Sequence, residues 1–342
     1  MNIYFNNPDK TRLHSFYGEL LANPPVNYVN LNDYKNRGES LNTKKSIIFQ
    51  LGRLVLKTLR FPAISIVKTN ADLIHSGGSI PISKTPYVID FEHIMGLAGF
   101  DYNKFNSKLF RYTTRKFLES DRCKKIMPWS EAAKKGLFNT FDSEIIRNKT
   151  EVVYPAISLK KRKKHKKFTA LFVAHNTKKK GVDLLPEGVK IVSNVSREKV
   201  LEEFSKADVL VYPSIVDTFG MVLIEAMSFG LPIIAVDDFC SREIVGRTKC
   251  GFLIDGVKHK WFNKKYLYNE GGNNWINVHK WNSFNKIKSE LIFWLDDLKN
   301  NKTLRDLMGN NARRIIKSGK FSIKHRNKTL RRIYNAGTNN TS

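Results

Sequence analysis

The sequence predicts an α/β protein built from two doubly wound, mainly parallel-sheet domains in tandem, with helices at its C-terminal end. Three observations carry this. Short apolar runs alternate with segments of helical periodicity, as βαβ units require. The alternation stops at one basic run, LKKRKKHKK (159–167), and then begins again. The 342 residues suffice for two domains with well-buried cores.

In the first half, NIYFN predicts a strand, TRLHSFYGELLA a helix and VNYVNL another strand. A helix over roughly 44–60 follows, then strands at ADLIHSGG and PYVID, a helix near 103–120 and a strand at KKIMPWS. Ser130 is placed to cap the helix EAAKKGLFNTF. EVVYP (151–155) closes this half as a strand. The second half repeats the pattern with strands FTALFVA and VKIVSNV, helix SREKVLEEFSKA and strand DVLVYPS. The helix FGMVLIEAMSFG ends at Gly230 with Pro232 shortly after, which is good stop chemistry. PIIAVD and GFLI are further strands, residues 257–285 read as an elaborated polar loop, and helices run over about 286–300, 302–318 and 322–336.

Composition narrows the function classes. The chain is 41% hydrophobic and 11% aromatic, which marks it as globular. No apolar run is long enough to span a bilayer, and the N-terminal MNIYFNNPDK lacks the pattern of a signal peptide. Cys123, Cys240 and Cys250 lie far apart, without metal spacing or a disulfide framework, which fits a reducing cytoplasm. The net charge of +28 calls for a polyanionic partner or marks a solvated surface. Nucleic acid is disfavoured, because the single basic run has no interleaved aromatics. Lys44, Lys45, Arg53, Lys57 and Arg60 line a helical pattern with an apolar side, and Lys104, Lys108, Arg111 and Arg115 recur at helical spacing on a second element. Basic amphipathic helices of this kind suit an anionic membrane surface.

The stretch YPSIVDTFGMVLIEAMSFGLPIIA (212–235) carries the chemistry. Its strand ends near Ser214, a loop holds Asp217, and a helix starts near Phe219. First-turn amides of Gly220, Met221 and Val222, with the helix dipole behind them, suit an anion or a polar ligand. Glu225 sits two turns into an almost wholly apolar helix, so if buried it needs a partner. Sugar or ribose hydroxyls are one such partner; a solvent edge of the helix is the alternative.

Asp217, seven residues and then Glu225 resemble the acid-x7-Glu motif of retaining, GT-B-fold glycosyltransferases of family 4, the group 1 glycosyl transferases. The neighbours ADVLVYPS, EAMSFGLPIIA, SREIVG and CGFLI agree, and FVAHNTKKKGVDLL resembles the family's phosphate-binding stretch. The resemblance implies a GT-B fold, two Rossmann-like domains facing across a cleft with C-terminal helices packing back on the first. Residues 1–158 would bind the acceptor, 159–167 link, 168–318 bind the donor, and 319–342 cross back. It implies transfer from a UDP- or GDP-linked sugar, with retention and without a metal or other cofactor, to a glycan or lipid-linked acceptor. The enzyme would be cytoplasmic and peripheral on the inner membrane face.

The same resemblance assigns roles. Glu225 would bind the ribose, and Asp217 with the amides of Thr218, Phe219, Gly220, Met221 and Val222 would hold the donor sugar. Lys180, followed by Gly181, would neutralise the diphosphate, and His93, ending PYVIDFEH, would face the donor sugar. The chain departs from the family pattern at Asp217, where Glu is usual, at His175, where Arg is usual, and at Ala174, which replaces a glycine. These departures open a second reading, a catalytically weak or inactive GT-B protein that binds sugar nucleotides or acts as a scaffold.

Overall fold

The computed structural model describes residues 1–7, 14–29, 60–175, 177–214, 217–237, 240–246, 248–255 and 284–338. The predicted helix at 44–60, except its last residue Arg60, and most of the 257–285 loop lie outside these residues. The described residues form two compact units, one of 1–153 and 327–338, the other of 154–326.

In the first unit the strands are β1 (Ile3–Asn6), β2 (Ile64–Ile66), β3 (Leu73–Gly77), β4 (Ile80–Ile82), β5 (Tyr87–Phe91) and β6 (Cys123–Pro128). Four make a parallel sheet in the order β1-β3-β5-β6, and β2 pairs in parallel with β4 in a small second sheet. Both β3 and β5 are buried along their whole length. That is why LIHSG and YVIDF do not alternate, as strands covered on both faces should not.

Helices α1 (Ser15–Ala22), α2 (Lys108–Glu119), α3 (Glu131–Phe141) and α4 (Glu144–Lys149) accompany these strands. Ser107, Ser130 and Ser143 cap the last three, accepting bonds from Phe110, Ala133 and Ile146 amides. Phe110 and Leu118 of α2 enter a core with Ile89, Ile126, Leu137 and Phe141.

The predicted strand EVVYP does not form. Glu151 and Val153 donate to the Ile126 and Pro128 carbonyls at 2.9 and 3.0 Å, but the segment has only an isolated bridge at Thr150. Pro128 has no N–H to return a bond, so the ladder stops there.

The second unit holds β7 (Ala170–Val173), β8 (Lys190–Val192), β9 (Val209–Tyr212), β10 (Ile233–Asp237) and β11 (Gly251–Asp255). They form one sheet in the order β11-β10-β9-β7-β8, every pair parallel. From β7 the chain goes first to one side, for β8, and then to the other, for β9. The carboxyl ends of β7 and β9 flank this switch point, where doubly wound sheets bind ligands.

Helices α5 (Arg197–Ser205), α6 (Met221–Phe229), α7 (Phe284–Asn300), α8 (Lys302–Ser318) and α9 (Ile323–Thr338) complete the chain. The basic run is tied to the second unit: Arg162 and His165 both pair with Asp208 at 2.9 Å, and the Lys160 and Lys163 amides donate to Ser228 and Ser205 carbonyls. Helix α9 starts in the second unit and continues in the first, where Asn327 and Arg331 donate to the Asn23 and Pro25 carbonyls.

Helix α8 crosses the end of α6 at Gly309. A Cβ added there would lie 2.4 Å from the Gly230 carbonyl oxygen. Gly309→Ala is therefore expected to lower stability by about 1–3 kcal/mol through overpacking, read as a shifted urea midpoint.

Candidate functional site

At the carboxyl end of β7 the chain turns through Ala174 and His175 into a short 3-10 turn, Lys178–Lys180, that ends at Gly181. Gly181 has φ +79°, and a Cβ there would approach the Pro213 carbonyl oxygen to 2.6 Å. Only glycine permits both that backbone and that contact. The Lys180 turn is thereby packed against the end of β9, and Lys180 Nζ reaches Asp217 Oδ2 at 2.9 Å. Two residues from separate motifs thus meet at the switch point.

Asp217 is held from three directions. Besides Lys180, the Tyr212 hydroxyl donates to Oδ2, and the Thr218 amide donates to Oδ1 at 2.9 Å. Phe219 is buried, with its ring edge-on to Phe321 at 6.3 Å. Gly220 then takes a left-handed conformation as the N-cap of α6, and having no side chain it leaves the first turn uncapped by one. The helix begins at Met221, two residues later than predicted, and Met221 and Val222 are half-buried. Tyr212, Ser214, Asp217, Phe219 and Cys240 line a small recess here. Cys240 Sγ donates to the Thr218 carbonyl at 3.0 Å.

Glu225 is buried, its side chain 6% exposed, and it has a protein partner that sequence reasoning missed. Arg197 Nη1 lies 2.7 Å from Glu225 Oε2, while the Arg197 side chain is 40% exposed. Arg197 is the first residue of α5, whose N-cap is Ser196. A buried carboxylate needs a compensating charge. Arg197 supplies it and holds one oxygen, which orients the other. Arg197→Ala is expected to weaken donor binding about tenfold with a smaller effect on turnover, since it removes the orienting charge and not a reacting group. The KM and kcat of the variant check this.

His175 is exposed, and Lys178 beside it is exposed too. His93 is in the first unit, two residues beyond β5, and is 3% exposed. Its Nδ1 accepts the Met95 amide at 3.2 Å and so caps the 3-10 turn Ile94–Ala98. An accepting Nδ1 carries no proton, so neutral His93 has its proton on Nε2.

His75 is fully buried in β3 and belongs to a different cluster. Its Nε2 meets Asp90 Oδ2 at 2.8 Å and its Nδ1 meets the Tyr334 hydroxyl at 2.6 Å. Tyr17 donates to Asp90 Oδ1 at 2.5 Å. Burial first, and Asp90 second, hold the Tyr17 phenol well above its ordinary pKa, so it remains the donor. The three cysteines are buried and form no disulfide. Burial pushes the Cys123 thiol up to about 12 and the Cys250 thiol up to about 11, which keeps both protonated and unreactive.

Comparison with known proteins places these features. Residues 184–268 match the model of the glycosyl transferases group 1 family. A Klebsiella pneumoniae relative described as an uncharacterized 41.2 kDa protein in the cps region is 29% identical over an alignment of 157 residues. That match takes in 33% of this chain and 44% of the relative, so less than half of the relative's length is covered. The structure of Anabaena HepE in complex with UDP superposes with a TM-score of 0.63 and 13% identity, covering 98% of this chain and all of HepE. A glycosyltransferase of Rickettsia africae gives a TM-score of 0.60 at 12% identity, with 99% of each chain covered. The chain has the GT-B, two-domain Rossmann-like fold, and its residues 184–268 carry the group 1 glycosyl transferase signature.

Proposed function

We propose that this protein is a retaining glycosyltransferase that moves a sugar from a nucleotide-sugar, UDP- or GDP-linked, to a glycan or lipid-linked acceptor at a membrane face. The observation that carries it is the meeting of Lys180 and Asp217 at 2.9 Å, at the switch point and beside the start of α6. A fixed cation, an accepting carboxylate and first-turn amides are what a sugar diphosphate requires side by side. The group 1 signature over 184–268 supports the same reaction. The complexes of HepE with UDP and with UDP-glucose support a uridine nucleotide as donor.

In this reading Lys180 draws charge from the departing diphosphate, a role that a metal fills in other transferases. Asp217 accepts hydrogen bonds from donor-sugar hydroxyls, with amides from Thr218 to Val222 beside it. The shorter Asp217 side chain stays in place because Tyr212 and Lys180 anchor it. Glu225, oriented by Arg197, accepts from the ribose. His93, as the acceptor-domain histidine, offers its Nε2 proton to a sugar hydroxyl. The second unit is the donor domain, and the first is the acceptor domain.

The test is a screen of nucleotide-sugars by thermal shift, followed by a transfer and hydrolysis assay in excess chelator. One nucleotide-sugar raising the melting temperature, with turnover that survives the chelator, is the expected result. A donor that binds without hydrolysis or transfer favours the second reading, a sugar-nucleotide-binding protein. The exposed His175, in place of a second fixed phosphate-binding cation, is the observation that favours it. Stabilisation by no nucleotide-sugar would sink both and leave only the scaffold role.

A further inference from the structure

A groove of about 570 Å³ opens on the first unit, far along the sheet from His93. Its apolar lining comes from Phe61, Pro81, Ile82, Tyr87, Tyr112 and Phe117. Tyr87 is the first residue of β5, so the groove lies at the amino end of the strand whose carboxyl end leads to His93. Six residues at about 3.3 Å each separate the two ends by about 20 Å. The groove is thus distinct from the carboxyl edge, where this fold class binds its substrates.

Its surroundings are apolar and cationic together. Ile66 pairs with Ile82 across β2 and β4 and is 71% exposed. On α2, Phe110, Thr114 and Leu118 face the core, which leaves Leu109, Tyr112 and Lys116 as one outward stripe. Tyr112 is 62% exposed, a large aromatic surface, with Lys116 Nζ 5.8 Å from the centre of its ring. The adjacent stripe is Lys108, Arg111 and Arg115, of which Arg115 pairs with Glu119. Among the described residues no carboxylate pairs with Lys108, Arg111, Lys116 or Arg122. Asp121 is the one acid in the lining.

We infer that this face docks on an anionic lipid bilayer. The inference rests on the transfer reading for its purpose, and it names the surface that would bring a lipid-linked acceptor to the enzyme. Charge complementarity selects the occupant: cations without a carboxylate partner among the described residues flank an exposed apolar strip, with Arg122 donating to the Ser83 carbonyl at 3.0 Å, as in interfacial helices that sit among acidic headgroups. Tyr112, Leu109, Ile82 and Ile66 would sink to the acyl boundary, while Lys116 and Arg122 snorkel to lipid phosphates. No described helix is long and apolar enough to cross a membrane, so this attachment lies in the interface. It would leave the carboxyl edge of the sheet uncovered.

The experiment uses the full chain in co-sedimentation with vesicles of phosphatidylcholine alone, and with an equal part of phosphatidylglycerol. Wild type is expected to partition onto the anionic vesicles at least about tenfold more strongly, and less so as salt rises. A Lys108→Glu, Arg111→Glu, Lys116→Glu variant is expected to lose that difference. Leu109→Ser with Tyr112→Ser is expected to weaken binding several-fold at unchanged charge. All these residues are exposed, so both variants should keep the wild-type melting temperature and its shift with UDP. Three outcomes overturn the inference: no preference for anionic vesicles, charge-reversed protein that binds like wild type, or loss only of binding to soluble heparin. The absence of a shift with either UDP or GDP in wild type, with vesicle binding intact, would overturn the transfer reading and leave the docking face standing.

Discussion

Lys180→Ala is expected to lower sugar transfer about 10²–10³-fold, the usual effect of removing one preorganised group from a site of developing charge. The loss should fall mainly on kcat, because the diphosphate gains its charge as the glycosidic bond breaks. Lys180→Arg should restore part of the rate, since the charge is kept on a longer side chain. The substitution also takes from Asp217 the cation at 2.9 Å, but Tyr212 and the Thr218 amide still hold the carboxylate. The fold should survive, as Lys180 lies on a half-buried turn. Steady-state kinetics alongside circular dichroism decide the matter. A Lys180→Ala protein with unchanged kcat would remove the lysine from the mechanism.

The largest effect on stability is expected at His75. His75→Leu leaves the Asp90 carboxylate buried with only Tyr17 to answer it, and leaves Tyr334 without its imidazole partner. Leaving a buried carboxylate without one of its hydrogen-bond partners costs about 3 kcal/mol. For a protein of this size that corresponds to a melting temperature lower by roughly 10 °C. Asp90→Asn should be milder, because an amide still accepts from Tyr17 and no charge is stranded. Because Tyr334 belongs to α9 and also meets Tyr28 at 2.9 Å, the loss should loosen the C-terminal helix as well. Hydrogen exchange in residues 327–338, faster in His75→Leu than in Asp90→Asn, would show that coupling.

The fold could be read from the sequence where packing follows local pattern. Strands β3, β5, β9 and β10 are apolar runs bounded by turn residues, and Ser107, Ser130 and Ser196 start helices as their hydroxyls allow. The pairs β2 and β4 were not foreseen, since three residues of ISI or IPI carry no period. EVVYP had the composition of a strand, and the missing N–H of Pro128 on its neighbour decided otherwise. In the candidate site, spacing along one segment pointed to Asp217 and Glu225. Arg197 was out of reach because its role depends on how the start of α5 meets α6. A buried acid in an apolar helix signalled that some cation was needed, but the chain offers 59 lysines and arginines. His75 shows the converse: a histidine at a strand end, whose neighbours in space and not in sequence make it part of the core.

The strand order of the second unit has a consequence for synthesis. Strand β7 is internal to the sheet, yet both its neighbours come after it in the chain: Leu171 pairs with Lys190 on one side and with Leu210 on the other. At about 5–20 residues per second, a ribosome needs about 2–8 s to pass from Leu171 to Leu210. Through that interval one edge of the nascent β7 has no backbone to bond, and Lys180 has no Asp217 to meet. The candidate site therefore cannot assemble until the chain has passed the end of β9, and chaperone cover over those seconds matters more here than in a sheet built from its edge inward.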